Sequence, residues 1–344
     1  MGTLKSGAPF LGFCGHSGSG KTTILEKLAA LLVEKGLSVG YLKHDAHKLT
    51  VDKEGKDTQR LFDSGVSVLN ATSHDESFSR AKSGNLDYSI FAQCDIVLVE
   101  GYKNAPWDKL WVHPYSGGKD DIPELDNVVE EIAKGGSLVH DDVKKLEKFA
   151  ASWLNKEVSK KPVFGGLLVG GQSRRMGSPK TRLKLGQSTY AEKQYALLNE
   201  KCDRVYILGN APLPESLLDA ETISDPPDIN GPIAGLISAN RFAPEADWLI
   251  TAVDLPNVDS DYLEKLLKLR VPGFRIVAAQ NPKKGKPEPL CALYSSQLLH
   301  RINSSFDGEL SVNAVLERLG ISGDAGLYDG EKLKNVNLPE DLHE

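Results

Sequence analysis

Gly15-His16-Ser17-Gly18-Ser19-Gly20-Lys21-Thr22 is the stretch on which the fold turns. It fits G-x-x-x-x-G-K-[ST] at every fixed position, and its surroundings fit as well. An apolar run from Pro9 to Cys14 precedes it and reads as a strand. Behind it Ile24, Leu25, Leu28, Leu31 and Leu32 recur at helical spacing, which predicts a helix over about residues 21–35, stopped by Gly36. Leu37 to Leu42 then reads as a second strand. Strand, Gly-rich turn, helix and strand make a βαβ unit, and hence a parallel sheet. The residue types dictate the chemistry. Glycines let backbone N–H groups curl around a β-phosphate, and the helix start adds a partial positive charge. Lys21 neutralises the outer phosphates, and the Thr22 hydroxyl can ligate magnesium. Gly15, Ser17, Gly18, Ser19, Gly20, Lys21 and Thr22 are therefore the nucleotide-binding candidates of the first half.

Further along, Ile96 to Val99 is a continuous apolar run that suits a strand covered on both faces, with Asp95 before it and Glu100 after it. Five residues of strand span about 16 Å, so the two acids cannot serve one metal. Ligands gather at the carboxyl ends of parallel strands, which selects Glu100 as a metal candidate and leaves Asp95 as a strand-entry residue. Lys43-His44-Asp45-Ala46-His47 reads as a polar loop near phosphate, because a metal site would need further ligands close by. Residues 141–156 form an amphipathic helix that closes this half, and the polar stretch Lys156 to Lys161, ending at Pro162, reads as a linker.

The second half opens with another strand, Val163 to Val169, and another Gly-rich loop. Gly170, Gly171, Arg174, Arg175 and Lys180 crowd into eleven residues. Paired glycines admit a triphosphate, arginines offer forked donors to its oxygens, and Lys180 sets a point charge where leaving pyrophosphate gathers charge. Three polar residues follow three predicted strands: Asn210, Asp225 and Asp254. In a doubly wound sheet such ends share one edge, so together with the cationic loop they form a candidate active site. Asp254 is the best magnesium ligand, a hard carboxylate at a strand end with Pro256 stiffening the turn. Gly231-Pro232-Ile233-Ala234-Gly235 reads as a helix start, and Gly235 lets another group pack closely against it.

Composition bounds the possibilities. The chain has 344 residues, enough for two domains that each bury a core. Apolar residues make up 40% and charged residues 26%, and the net charge of −6 argues against a general nucleic-acid surface. Cys14, Cys94, Cys202 and Cys291 are too scattered for a disulfide framework or zinc site and suit a reducing cytosol. No apolar run reaches the length of a membrane span, and no secretory segment opens the chain, so a cytoplasmic location is expected.

These motifs carry two resemblances. Residues 9–155 resemble the MobB family, the P-loop GTP-binding adaptor of molybdenum-cofactor biosynthesis. The match rests on Gly15–Thr22, Lys43-His44, Asp52-Lys53-Glu54-Gly55-Lys56-Asp57-Thr58 and Val99-Glu100-Gly101-Tyr102. It implies GTP binding in support of a nucleotidyltransferase. Residues 162–344 resemble the MobA family, molybdenum cofactor guanylyltransferase. Here the match rests on Leu168-Val169-Gly170-Gly171, Arg174-Arg175-Met176-Gly177 with Lys180, Asp225, Gly231–Gly235, Asp254-Leu255-Pro256, Glu288-Pro289-Leu290 and Asn335-Val336-Asn337-Leu338-Pro339-Glu340. By this resemblance Leu168, Gly170, Gly171 and Lys180 bind GTP, Asn210 and Asp225 contact base or ribose, and Asp254 holds magnesium and the phosphates.

The expectation is thus an α/β chain of two doubly wound domains: a P-loop NTPase-like domain over 1–158, then a Rossmann-like nucleotidyltransferase domain over 162–344. Arg175, Lys180 and Asp254 are its catalytic candidates, and Thr22, Glu100 and Asp254 its magnesium ligands. GTP is expected both as substrate and as phosphate-loop ligand, molybdopterin as acceptor, and enzymes that receive the finished cofactor as partners. Two alternatives stay open: CTP in place of GTP, and a P-loop GTPase switch with a non-catalytic C-terminal binding module.

Overall fold

The computed structural model describes residues 7–43, 68–72, 77–81, 88–114, 124–132, 140–169 and 180–336. The first half contains β1 (Phe10–Cys14), α1 (Lys21–Glu34), β2 (Val39–Lys43), β3 (Val68–Thr72), β4 (Ser77–Ala81), β5 (Ile96–Glu100), β6 (Lys109–Val112), β7 (Val128–Ile132) and α2 (His140–Lys160). Five strands form a parallel sheet in the order β2-β5-β1-β6-β7, while β3 and β4 pair separately as an antiparallel ribbon. Every residue of β1 and β5 is buried, as their unbroken apolar runs predict for strands covered on both faces. On one face Leu11, Phe13 and Leu98 pack against Leu28 and Leu32 of α1 and Trp153 of α2. Fully burying each such leucine contributes roughly 1.5–3 kcal/mol.

The second half contains β8 (Val163–Leu168), β9 (Lys184–Leu185), β10 (Ser188–Thr189), α3 (Tyr190–Lys201), β11 (Arg204–Leu208) and β12 (Thr222–Ile223). It continues with α4 (Pro232–Phe242), β13 (Asp247–Ala252), α5 (Ser260–Lys268), β14 (Ile276–Asn281), β15 (Lys286–Tyr294), α6 (Ser296–Ser304) and α7 (Val312–Arg318). Its six-stranded sheet runs β12-β11-β8-β13-β15-β14. The first four strands are parallel, but β15 is antiparallel to both β13 and β14. The alternation of strands and helices predicts the doubly wound part and not this reversed strand.

One expectation is corrected. The polar stretch 156–161 is not a linker, because α2 runs on through Lys160. Lys156, Glu157 and Lys160 are good helix formers, Ser159 Oγ is satisfied by the Asn155 carbonyl of the preceding turn, and only Lys161 and Pro162 separate the helix from β8. Strands β6 and β7 are also additional to the sequence reading. One carries the fully buried Lys109, whose Nζ donates to the carbonyls of Trp107 and Asp126, and the other, Val-Val-Glu-Glu-Ile on the sheet edge, buries only Ile132 and so shows no apolar run.

The two halves meet through a polar seam. Asp95 is buried at the start of β5 and accepts Arg275 from the second half in a forked pair, at 2.5 and 2.7 Å, and the Ser38 amide at 2.7 Å. Gln297 Nε2 donates to the Cys94 carbonyl, and Lys161 Nζ to Ser296 Oγ. Asp247, also buried, collects Arg270 Nε, the Ser296 amide and the Lys161 ammonium. Burial pushes the Lys161 ammonium below its usual pKa, with Asp247 opposing that shift. Arg275→Ala would strand the Asp95 charge in this seam. Breaking a buried pair should cost roughly 3 kcal/mol, read as a lower urea midpoint; an unchanged midpoint would refute that weight.

Candidate functional site

At the first sheet the chain leaves β1 through Gly15, and α1 starts after Gly20. Gly15, Gly18 and Gly20 all have positive φ (151°, 74° and 86°), the region that glycine tolerates. A Cβ on Gly15 would lie 2.4 Å from the Val112 carbonyl oxygen, so the loop sits directly on the end of β6. Lys21 Nζ folds back onto the carbonyls of His16 (2.7 Å) and Gly15 (3.3 Å) and onto Ser19 Oγ. Burial lowers the pKa of this ammonium, while Glu100 pulls it back up. Ser17 is exposed and Ser19 fully buried.

Glu100 ends β5 beside this loop. The Thr22 hydroxyl donates to both its carboxylate oxygens at 3.0 Å, and Tyr41 OH to one of them at 2.8 Å. The Tyr41 phenol is pushed up, by burial first and then by its bond to Glu100. Thr22 and Glu100 are thus adjacent, whereas Asp95 lies at the far end of the same strand.

The second sheet brings its residues together through register. Ile223 pairs with Leu208, Leu208 with Leu168, and Leu168 with Ala252. Two residues past this row in their respective strands come Asp225, Asn210 and Asp254. Gly170 is the corresponding residue after β8, but it lies outside the described residues with Gly171, Arg174, Arg175 and everything else in 170–179. Leu168 is buried at the end of β8, Asn210 is exposed, and Asp225 is partly buried, which raises its carboxyl pKa.

Asp254 is held between two buried neighbours. Val253 and Leu255 sink into the core beneath α3. From that helix Gln194 Nε2 donates to the Leu255 carbonyl and Lys193 Nζ to the Pro256 carbonyl. A reciprocal capping box between Thr189 and Glu192 fixes where the helix begins. Lys180 Nζ approaches Asp254 Oδ2 at 3.4 Å, each side chain about one-fifth exposed. The short helical turn carrying Lys180 is pinned to the loop after Asn210, through Thr181 Oγ1 to the Pro212 carbonyl and Arg182 Nε to the Leu213 carbonyl. At the other side, the Val336 amide donates to the Asp254 carbonyl, so the Asn335-Val336 segment ends at the same turn. Helix α4 packs close: a Cβ on Gly235 would lie 2.5 Å from Leu168 Cδ2, the tight approach expected of that glycine.

Magnesium takes oxygen ligands and needs only one or two protein carboxylates when phosphates and waters complete its shell. The donors fit. Asp254 Oδ1 is buried with no hydrogen-bond partner among the described residues, and Thr22 with Glu100 offers a hydroxyl and a carboxylate. Among the described residues no three His, Cys, Asp or Glu side chains cluster, so nothing there resembles a zinc cage.

A phosphate loop on one parallel sheet, and a polar row with a lysine against an aspartate on another, define a chain of two nucleotide-handling α/β units. Residues 10–133 match the family described as molybdopterin guanine dinucleotide synthesis protein B, and residues 165–322 match the MobA-like NTP transferase domain. An adapter protein of molybdopterin-guanine dinucleotide biosynthesis from Haemophilus influenzae is 37% identical over 44% of this chain and 93% of its own length. A probable molybdenum cofactor guanylyltransferase from Deinococcus radiodurans is 33% identical over 53% of this chain and 93% of its own. A molybdenum cofactor biosynthesis bifunctional protein from Synechocystis is 28% identical over 54% of each chain. The chain belongs to the MobB family in its first part and to the MobA-like nucleotidyltransferases in its second.

Sequence reasoning missed one residue here. Tyr41 reads as one more residue of the strand Leu37–Leu42, and nothing local marks its phenol as a partner of Glu100. Glu288 stood in the sequence as part of the matching Glu288-Pro289-Leu290 motif, and the reversed direction of β15 starts its strand at this edge of the sheet.

The loop geometry sets an ordering. Gly15→Ala meets both a backbone carbonyl and a positive φ, whereas an added Cβ on Gly18 meets nothing within 4 Å. Gly18→Ala should therefore cost only about 1–2 kcal/mol of backbone strain. Titration with a fluorescent GTP analogue should show the Gly15 variant binding much more weakly than the Gly18 variant. Equal affinities would contradict this account of the loop.

Proposed function

We propose that this chain is a molybdenum cofactor guanylyltransferase with a fused GTP-binding adaptor, the adaptor spanning residues 1–158 and the transferase 162–344. The observation that carries the reading is the Lys180–Asp254 contact in the row shared with Asn210 and Asp225, at the edge where doubly wound sheets bind nucleotides. The similarity to a guanylyltransferase on one side and an adapter protein on the other supports it.

In this reading a molybdopterin phosphate oxygen attacks the α-phosphorus of GTP. The α–β bridging P–O bond breaks, pyrophosphate leaves with the electron pair, and the guanine dinucleotide forms. The attacking oxygen is already anionic near neutral pH, since a phosphate's second pKa is about 6, so no general base is needed. The site must instead hold two anions in line. Lys180 meets charge gathering on the leaving pyrophosphate, Arg175 supports the triphosphate, and Asn210 and Asp225 orient base or ribose. Magnesium bound with the triphosphate would neutralise its charge, and Asp254 is the residue that holds it. The glycines Gly170 and Gly171 admit the phosphates beside Leu168. In the adaptor, Gly15–Thr22 cradle a second GTP, and Thr22 and Glu100 are the residues for its magnesium. The four free cysteines suit a cytoplasmic setting.

Asp254→Ala should leave the unfolding midpoint in place and lower pyrophosphate release by about a hundredfold or more. Retained turnover would defeat the assignment. Lys21→Ala should reduce efficiency without abolishing product, whereas a GTPase switch would lose all function. Turnover measured side by side with GTP and CTP should favour GTP.

A further inference from the structure

The proposed reaction brings two anions together, and so far only one of them has cations assigned to it. Lys180 and Arg175 serve the triphosphate, while nothing meets the phosphate of the acceptor. The chain carries a net charge of −6, so attraction for that phosphate has to be local. Sheet order separates the two substrates. Asp225, Asn210, Leu168 and Asp254 belong to the β12-β11-β8-β13 side of the edge, and beyond β13 come β15 and β14. Attacking and leaving oxygens stand roughly in line on opposite sides of the phosphorus. The Lys180 turn, which meets the leaving pyrophosphate, is pinned to the loop after Asn210. The acceptor phosphate is therefore expected from the other direction, over β15 and β14.

These two strands do not stop where β13 stops. Thr251 near the end of β13 pairs with Cys291, whereas β15 begins five residues earlier, at Lys286. Strand β14 accompanies it as far as Asn281, which pairs with Lys286. The ribbon thus runs on about 17 Å past the Thr251–Cys291 pair, at about 3.4 Å per residue. Its tip is the exposed turn Pro282-Lys283-Lys284-Gly285, followed by Lys286.

The backbone of this tip is held firmly. Asn281 Oδ1 accepts the Lys283 and Lys284 amides at 3.0 and 3.1 Å, and the Asn281 carbonyl accepts the Gly285 amide at 2.8 Å. Gly285 takes the positive φ of 63° that closes the turn, and Gln280 Nε2 donates to its carbonyl at 3.0 Å. The outer edge of β14 is covered in turn: the Gln280 amide donates to the Asp324 carbonyl, and the Asp324 amide to the Ala278 carbonyl. The lysine side chains project from this fixed turn into solvent. Lys286 pairs with Glu317 at 3.3 Å, while Lys283 and Lys284 form no ion pair with the described residues. Half-buried Glu288 lies in the field of both the tip and the site. Burial raises its pKa, the Leu290 amide opposes that, and the charges of Asp254 and Lys284 act on it in opposite directions.

We propose that Lys283 and Lys284, on the rigid β14–β15 tip, are positioning residues that draw the acceptor's phosphate to the side of the site away from the leaving pyrophosphate. This rests on the transferase reading above. Two ammonium groups on a fixed turn offset the charge of an incoming phosphate without touching the reacting phosphorus. They act on capture of the acceptor and leave the chemical step alone.

The test follows pyrophosphate release by the full chain with saturating GTP and Mg2+ and varied molybdopterin. At low ionic strength, Lys283→Gln combined with Lys284→Gln should raise the KM for molybdopterin by about tenfold, with kcat and the KM for GTP unchanged. The difference should shrink as salt is added, because the Debye length falls from about 30 Å at 0.01 M to about 8 Å at 0.15 M. Lys283→Arg combined with Lys284→Arg keeps the charge and should restore the low KM. An unchanged molybdopterin KM in the glutamine variant would overturn the proposal. So would a rise that arginine fails to reverse, which marks a role in holding the turn, or a change confined to GTP. Pyrophosphate release that is lost in Asp254→Ala while the glutamine variant matches the unaltered chain overturns this proposal alone. No release by the unaltered chain overturns the transferase reading, and this assignment with it.

Discussion

The register of the second sheet is the constraint on which the rest depends. Hydrogen bonds between parallel strands fix Ile223, Leu208, Leu168 and Ala252 in one row. The row then dictates which residues emerge together where the strands stop. A slip of one residue would exchange the side chains packed on the two faces and break close fits such as Leu168 against Gly235, so the packing of both apolar clusters holds this register. The chemistry is thereby positioned by core packing: Val253 and Leu255 are anchored below α3, and Asp254 between them is placed by that anchoring. The pin from Thr181 and Arg182 to the loop after Asn210 brings Lys180 to the same edge.

The same economy links the two halves. Strand β5 bears a carboxylate at each end. Glu100 meets Thr22 and Tyr41 at the nucleotide edge, and Asp95 meets Arg275 at the seam. One short buried strand thus spans from the phosphate loop to the transferase. The continuous helix α2 runs to Lys160, and the Lys161–Asp247–Arg270 cluster fixes the next residue to the start of β13, where a flexible tether would have left the units independent.

Much of this was legible in the sequence because it follows from local pattern. The Gly15–Thr22 loop, the Ile96–Val99 strand, and the strands before Asn210 and Asp254 announce themselves by apolar runs and special residues. Gly235 was readable as a close approach, though its partner Leu168 was not. The remainder depends on facts a single sequence does not encode locally. Strand β15 begins at this edge only because it runs backward, and no periodicity states a strand's direction. Arg275 matters because of Asp95, 180 residues away. The stretch after Lys156 is polar because its helix is largely solvated there, and polarity alone cannot separate that from a linker. Lys109 hides a strand because a buried lysine breaks the apolar pattern while carbonyls satisfy it.

Crystals of the full chain grown with Mn2+ and a non-reactive GTP analogue offer the most direct examination of this arrangement. Anomalous scattering locates the metal without ambiguity. The account predicts a peak bonded to an Asp254 carboxylate oxygen at the edge of the second sheet, with the triphosphate extending toward Lys180. An ordered nucleotide in that half whose metal lies away from Asp254 would contradict it.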